Sequence, residues 1–426
     1  MQSARDCRVL VVGGGVIGLT SALALLQSGF HNVRVVADSF DATTSHVAGG
    51  LWMPFALPED ADPAKPRKWC EVSYEWLTNI IKKHGEEAGI HVVCAAEVSD
   101  DGPPPVVHPY WAHCVQDFRL LSREEAAEVS PDAVHGFAFG TIIYNTGMFM
   151  TWLQKEIHKL GGTFEQRRVT DLNAEGCDLL VNCSGLAARE LAKDDTVYPI
   201  RGQVIKVHNP TIQKYVAVIR RDGHHTYVIP RPNGDIVLGG TVQPHNWSTD
   251  NNAGDVEGVW ERCCQLWPEV RNSKVLGPVA GLRPGRTGGV RLEMEGRPTT
   301  CGAMLIHNYA HGVAVRVLKL IWYLAFQHST RNLSSNIHHT MRVGYVNRVL
   351  YKDTSEADDD TDEGGDKDST DEDDTEERGA GNLASIAKTT KEKIKPKSSD
   401  KTNTVVNDVL WHIFRFMTPK DHRTSQ

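Results

Sequence analysis

The chain has no apolar stretch long enough to span a bilayer. Its longest run, Val313 to Phe326, is interrupted by Arg316 and Lys319 and falls short of the roughly 20 residues a membrane helix needs. It also lacks any Cys-x-x-Cys pair. Its nine cysteines are scattered, and Cys263 and Cys264 are adjacent and cannot both serve one ordinary metal site. That pattern excludes a zinc ribbon and a disulfide scaffold, and it predicts reduced thiols in an intracellular compartment. "MQSARDCRVL" reaches a strand too soon for a signal peptide. Basic excess is missing as well. The net charge is −8, but fourteen acidic residues against one lysine fall between Glu356 and Glu377. Such a block stays solvated, and the remaining body is near neutral or slightly basic, which points to neither nucleic acid nor membrane.

What is present is the patterning of an α/β protein, with 40% hydrophobic residues and 37 glycines. "RVLVVGGG" reads as a buried strand broken by glycine. "VIGLTSALALLQSG" has helical periodicity closing on Gly29, and "VRVVAD" is a second strand ending on an acid. A helix is predicted over 69–84, between the proline-rich loops "PEDADPAKPRK" and "DGPPPVVHP". A further unit runs "TWLQKEIHKLGG", "FEQRRV", "CDLLVNCSG". From Tyr198 to Val242 strands dominate, with "PNGD" as a turn. Beyond Phe326 the chain becomes polar, then acidic and low in complexity, which predicts disorder. "VVNDVLWHIFRFM" closes it with one apolar helical face.

The sequence Gly13-x-Gly15-x-x-Gly18 stands between the first strand and the first helix. Gly13 permits the tight turn, Gly15 lets a pyrophosphate approach the backbone, and Gly18 lets the helix pack closely on the sheet. The helix start, Val16 and Ile17, offers free N–H groups to phosphate. Asp38, twenty residues past Gly18, is placed to accept the ribose hydroxyls. The motif by itself fits either FAD or NAD.

"DATTSHVAGGLWMPF", "RGQVIKV", "YVIPRPNGDIVLGGT", "GLRPGR" and "IHNYAHG" occur in this order over about residues 7–313. Together they resemble the D-amino-acid oxidase and D-aspartate oxidase family. The resemblance implies FAD as cofactor and a Rossmann-type FAD-binding domain over 5–55, 140–195 and 280–326. A mixed-sheet α+β substrate domain is implied over 56–139 and 196–279. Composition predicts a largely disordered acidic linker over 327–403, and "NDVLWHIFRFMTPKDHRTSQ" separately resembles the first half of an F-box, which implies a partial F-box-like helix over 404–426. The oxidase resemblance also implies cofactor contacts by Thr43, Thr44, Ser45, Gly50, Leu51, Val169, Ser184, Arg283 and Gly312. Arg283 matches the arginine that grips the substrate carboxylate, a role suited to a planar fork that never loses its charge. Tyr227 matches a second carboxylate contact, and the Val313 carbonyl would meet the substrate amine. The implied reaction passes the substrate Cα–H as hydride to flavin N5 and leaves an imino acid that water hydrolyses. Dioxygen is the second substrate and hydrogen peroxide its product. No histidine is assigned a catalytic role; His307 and His311 read as structural.

Phe55, Arg221 and His225 are expected to meet the substrate side chain. Aspartate oxidases place extra arginines there. Arg221 keeps one such feature, whereas Phe55 and Val242 depart from it, so neutral D-amino acids are favoured over acidic ones. After Gly312 the family continues with glycines and a helix, where this chain has Val313-Ala314-Val315. That departure, together with the F-box-like tail, supports a second reading, a catalytically impaired oxidase-like binding protein whose tail docks a Skp-type adaptor. A homodimer and a peroxisomal location also follow from the resemblance, although the chain ends Thr-Ser-Gln rather than in a peroxisomal tripeptide; the cytoplasm is the other expectation.

Overall fold

The computed structural model describes residues 6–54, 64–100, 109–295 and 299–312. Phe55, Val313, the apolar run after it, the acidic linker and the F-box-like segment lie outside the described residues.

The chain begins with β1 (Arg8–Val12), α1 (Val16–Gln27), β2 (Asn32–Ala37) and a single turn of helix, α2 (Thr44–Val47). It continues through α3 (Ala64–Ala88), β3 (Ile90–Ser99), β4 (Gln116–Leu120), α4 (Arg123–Val129), β5 (His135–Tyr144), α5 (Thr146–Lys159), β6 (Thr163–Gln166) and β7 (Leu179–Asn182). After α6 (Ala188–Leu191) come β8 (Val197–His208), β9 (Tyr215–Ile219), β10 (His225–Pro230), β11 (Asp235–Gly239) and β12 (Gln243–Pro244). The described part closes with α7 (Ala253–Leu266), β13 (Lys274–Arg286), β14 (Arg291–Met294) and β15 (Met304–Tyr309).

Two sheets organise these elements. One has the order β14-β15-β7-β1-β2-β6. Its strands run parallel except β14, which pairs antiparallel with β15. A parallel sheet is buried on both faces, which explains why "VLVV" in β1 carries no polar alternation. The second sheet follows β12-β8-β11-β10-β9-β3-β5-β4, with β13 along β8. It is antiparallel apart from the β3–β9 pair. β5 reaches Tyr144 and β13 reaches Arg286, so this sheet runs on past 139 and 279.

The largest core fills the space between the two sheets, with Leu23 and Val35 from one side and Tyr215, Ile229 and Val237 from the other. A second core on the opposite face of the large sheet packs Val228 and Leu238 against Val259 and Cys263 of α7. All nine cysteines are free thiols. The described residues contain neither a helix long and apolar enough to cross a membrane nor a metal-binding cluster.

Local signals in the sequence reappear in the backbone. Gly29 takes φ +92° just beyond the end of α1, the conformation that lets a helix end tightly. Gly234, in the predicted "PNGD" turn, takes φ +80° between β10 and β11. The helix predicted over 69–84 is longer at both ends, and His84 marks its kink, with φ −145°. α5 starts five residues before its expected Thr151, because Asn145 caps it by accepting from the Met148 N–H. The strand predicted through Val169 stops at Gln166.

Candidate active site

The turn between β1 and α1 is built around its glycines. Gly13 has φ +128°, and a Cβ there would lie 2.3 Å from the Cys183 carbonyl oxygen. A Cβ on Gly18 would lie 1.9 Å from the Gly13 carbonyl oxygen. Both contacts are with backbone, which cannot give way, so the turn exists only with glycine at these positions. Gly15 is different: its side is open to the Ser45 hydroxyl at 3.3 Å. It caps α1 with extended backbone and no side chain in the way.

The three hydroxyls of the loop after β2 serve different ends. The Val16 N–H donates to Ser45 Oγ at 2.9 Å, so the first amide of α1 already meets an oxygen acceptor. Thr44 instead donates to the Leu282 carbonyl at 3.0 Å, tying this loop to the strand that carries Arg283. Thr43 caps α2 in a box with His46. Arg231 donates to the Ala48 carbonyl and Thr146 to the His46 carbonyl, anchoring the same loop from two more sides. Gly50, at φ +80°, lies against Tyr144, where a Cβ would meet the carbonyl oxygen at 2.3 Å. Leu51 then bridges to Ile143.

Other expected cofactor positions fall around the same edge. Asp38 is exposed, one residue beyond β2. Val169 lies buried past the end of β6, with Leu10, Val12 and Val36. Ser184 donates to Asn182 Oδ1 at 2.6 Å at the end of β7. The last turn ends the described part of this edge. Gly312 is exposed, a Cβ there would meet nothing within 4 Å, and its carbonyl lies 3.1 Å from His311 Nδ1, while Ala310 takes the left-handed φ of +65°. His307 is fully buried between Asn182 and Glu295, and His311 bonds Asn308, as structural residues would.

Cradle, helix start and exposed carboxylate suit a dinucleotide. Backbone room and amides would face a diphosphate, and the Asp38 carboxylate would offer an acceptor to a ribose.

Arg283 and Tyr227 come together on the face of the large sheet that looks toward this turn. The Arg283 guanidinium lies over Gly202, where a Cβ would come within 2.2 Å of Nη1. Its Nη1 donates to the Thr241 carbonyl at 3.2 Å. The Tyr227 ring covers Gly239 in the same manner, with Cζ 2.1 Å from a notional Cβ. Burial raises the Tyr227 hydroxyl's pKa, opposed by the positive charge of Arg283 beside it. His225, two residues along β10, is pushed down by burial and by that same arginine. Arg286 plays a different part, because its Nε donates to Asp194 at 2.9 Å. Burial would raise Asp194, but hydrogen bonds from Thr196, Arg286 and Tyr309 outweigh it and hold the carboxyl far below the usual range.

Arg221 is exposed. Its N–H donates to Asp100 Oδ1 at 2.7 Å and its Nη2 to the Asp100 carbonyl at 3.2 Å. Neighbouring Arg220 pairs with Asp100 as well. Val242, beside Thr241, is 38% exposed.

Sequence reading missed three features. Gly202 and Gly239 lie in motifs it recognised, but only β8–β13 and β10–β11 pairing shows which side chains they admit. Arg201 is 2% exposed and donates to Gln203, Gln243, Asp255 and the Ser248 and Asp250 carbonyls, locking the loop after Thr241. Glu97, half-buried on β3, stands in the cross-strand row of Tyr227.

Comparison with known proteins adds a family to this geometry. The family described as FAD dependent oxidoreductase matches residues 8–315. A D-amino-acid oxidase of Rubrobacter xylanophilus is 38% identical over 309 residues, 72% of this chain and 90% of the relative. Human D-aspartate oxidase is 33% identical over 312 residues, 72% of this chain and 89% of the relative. Among solved structures, a glycine oxidase from Bacillus cereus shares the fold with TM-score 0.59 at 16% identity, covering 76% of this chain and 95% of its own.

Proposed function

Because this chain belongs to the FAD dependent oxidoreductase family, with D-amino-acid and D-aspartate oxidases among its relatives, we propose that it oxidatively deaminates D-amino acids. The products are 2-oxo acids, ammonia and hydrogen peroxide. The carrying observation is the Arg283 guanidinium set beside the Tyr227 hydroxyl over two glycines.

Arg283 would take the substrate carboxylate with its planar fork. Tyr227 adds a donor, and since its hydroxyl is pushed up it stays protonated through the neutral range. His225, pushed down, adds no positive charge there at neutral pH. Gripping the carboxylate fixes the Cα–H bond in space, and orientation is the largest service these side chains perform. FAD, held by Gly13, Gly15, Gly18, Asp38 and Ser45, supplies the hydride acceptor and the route of electrons to dioxygen. The Val313 carbonyl remains part of the proposal as a partner for the substrate amine.

Acidic side chains are disfavoured in this reading. Arg221 is engaged by Asp100 and Val242 offers no charge. Purified protein is expected to release peroxide and pyruvate in equal amounts from D-alanine, and to use D-aspartate at least about tenfold less efficiently, since one buried ion pair is worth more than that ratio. A preference for D-aspartate in the same peroxide assay would reverse the specificity. A peroxisomal location belongs to the same proposal and fits a peroxide-forming reaction; cell fractionation tests it.

A further inference from the structure

Glu97 lies on the substrate side of the large sheet, in register with the residues already assigned. β10 pairs with β9 so that Tyr227 stands opposite Ala217. β9 pairs in parallel with β3 so that Ala217 stands opposite Glu97. With strands about 4.8 Å apart, Glu97 and Tyr227 are separated by roughly 10 Å across the sheet. Ala217 stands between them in the row, and Tyr215, on the same face of β9, bonds Glu97 and lies close enough to Tyr227 to interact with it electrostatically. The row ends on β5 with the half-buried ring of Phe137, opposite Glu97.

The carboxylate is poorly compensated where it stands. Tyr215 donates its hydroxyl to Glu97 Oε2 at 3.2 Å. Among the described ion pairs, none includes Glu97. Burial raises its pKa to about 7, against the lowering effect of the Tyr215 hydrogen bond. A carboxylate kept in such surroundings without a cation is costly, and a ligand that brings the cation removes the cost.

We propose that Glu97 selects the substrate side chain, and that this oxidase favours D-amino acids with a cationic side chain, of the D-lysine and D-ornithine class. The inference rests on the reaction proposed above. With the α-carboxylate on Arg283 and Tyr227, a stem of three or four carbons crosses Ala217, lies along Phe137 and delivers its ammonium to Glu97. Such a stem spans on the order of 6 Å, the scale of a two-strand separation whose end groups lean together.

The titratable groups facing Glu97 behave differently from it. Tyr215 on β9 and Tyr227 on β10 are both pushed up and stay neutral through the physiological range. His225 on β10 is pushed down, and His135 on β5 stands one row away, opposite Ser99. Glu97 itself is neutral below about pH 7 and charged above it, so the preference for a cation turns on as pH rises.

The test compares kcat/KM for D-lysine and its uncharged counterpart D-norleucine at about pH 6 and about pH 8.5, in the natural chain and in Glu97→Gln. In the natural chain the D-lysine to D-norleucine ratio is expected to rise by about tenfold across that interval, and in Glu97→Gln to stay low and flat. A flat ratio in the natural chain, or a rise that survives in Glu97→Gln, overturns the assignment. If Glu97→Gln fails to fold, D-ornithine against D-norvaline in the natural chain gives the same comparison without a variant. Oxidation of D-alanine with no cationic preference removes Glu97 alone. Oxidation of no D-amino acid at all contradicts the underlying reaction.

Discussion

Replacing Arg283 by alanine is expected to lower kcat/KM for D-alanine by roughly 30- to 5,000-fold, the equivalent of about 2–5 kcal/mol for losing a buried charge partner of a carboxylate. The side chain reaches its place because Gly202, on the neighbouring strand, has no Cβ to exclude it. Thr241 fixes one nitrogen through its carbonyl. Lysine at this position keeps the charge but loses the fork, so Arg283→Lys should fall between alanine and the natural residue. Arg286→Ala separates binding from structure. That side chain serves Asp194, which also accepts from Thr196 and Tyr309. Its loss leaves a buried carboxylate short of a partner and should appear mainly as a lower melting temperature. Steady-state kinetics with a thermal melt of each variant reads both effects. Full turnover by Arg283→Ala would remove the main site assignment.

The second large effect is expected at Gly18. Alanine there would place Cβ 1.9 Å from the Gly13 carbonyl oxygen and 2.9 Å from its carbon. Neither atom can move without opening the turn. Gly18→Ala should therefore purify without flavin colour and melt well below the natural protein, by more than the roughly 1–3 kcal/mol of ordinary overpacking. Gly176→Ala is the matched control. Its Cβ would meet nothing within 4 Å and its backbone is not left-handed, so stability should be kept or rise by about 0.4–1 kcal/mol. A yellow Gly18→Ala protein with the natural melting temperature would show that the close packing of α1 on β1 is not what holds the cofactor.

What could be read from the sequence was local. Strand, glycine turn, helix and acid follow within about thirty residues of one another, and each declares itself by residue type, so the cofactor turn was legible. The arginine pair was not legible by pattern. Arg283 and Arg286 share one strand, and only Asp194, brought in from far along the chain, shows which of them is the structural one. The hydroxyl run is divided in a way that no local pattern announces. Three adjacent small hydroxyls invite a single role, yet Thr44 is drawn away by Leu282 and Thr43 by the helix it caps. Glu97 was invisible because its neighbours Ala217 and Tyr227 are set by strand pairing alone. The β3–β9 pair is parallel and joins segments far apart in the chain, and no local signal fixes its register. Nor does any local signal mark Ala310 as the left-handed residue, since glycine two positions later is the natural suspect.

Anaerobic reduction of the bound flavin tests the central claim most directly. The purified protein is expected to be yellow, and its visible flavin bands should bleach on adding D-alanine in the absence of oxygen, recover on admitting air, and stay unchanged with L-alanine. A protein that carries flavin but remains oxidised under D-alanine, or one that purifies colourless, would contradict the account.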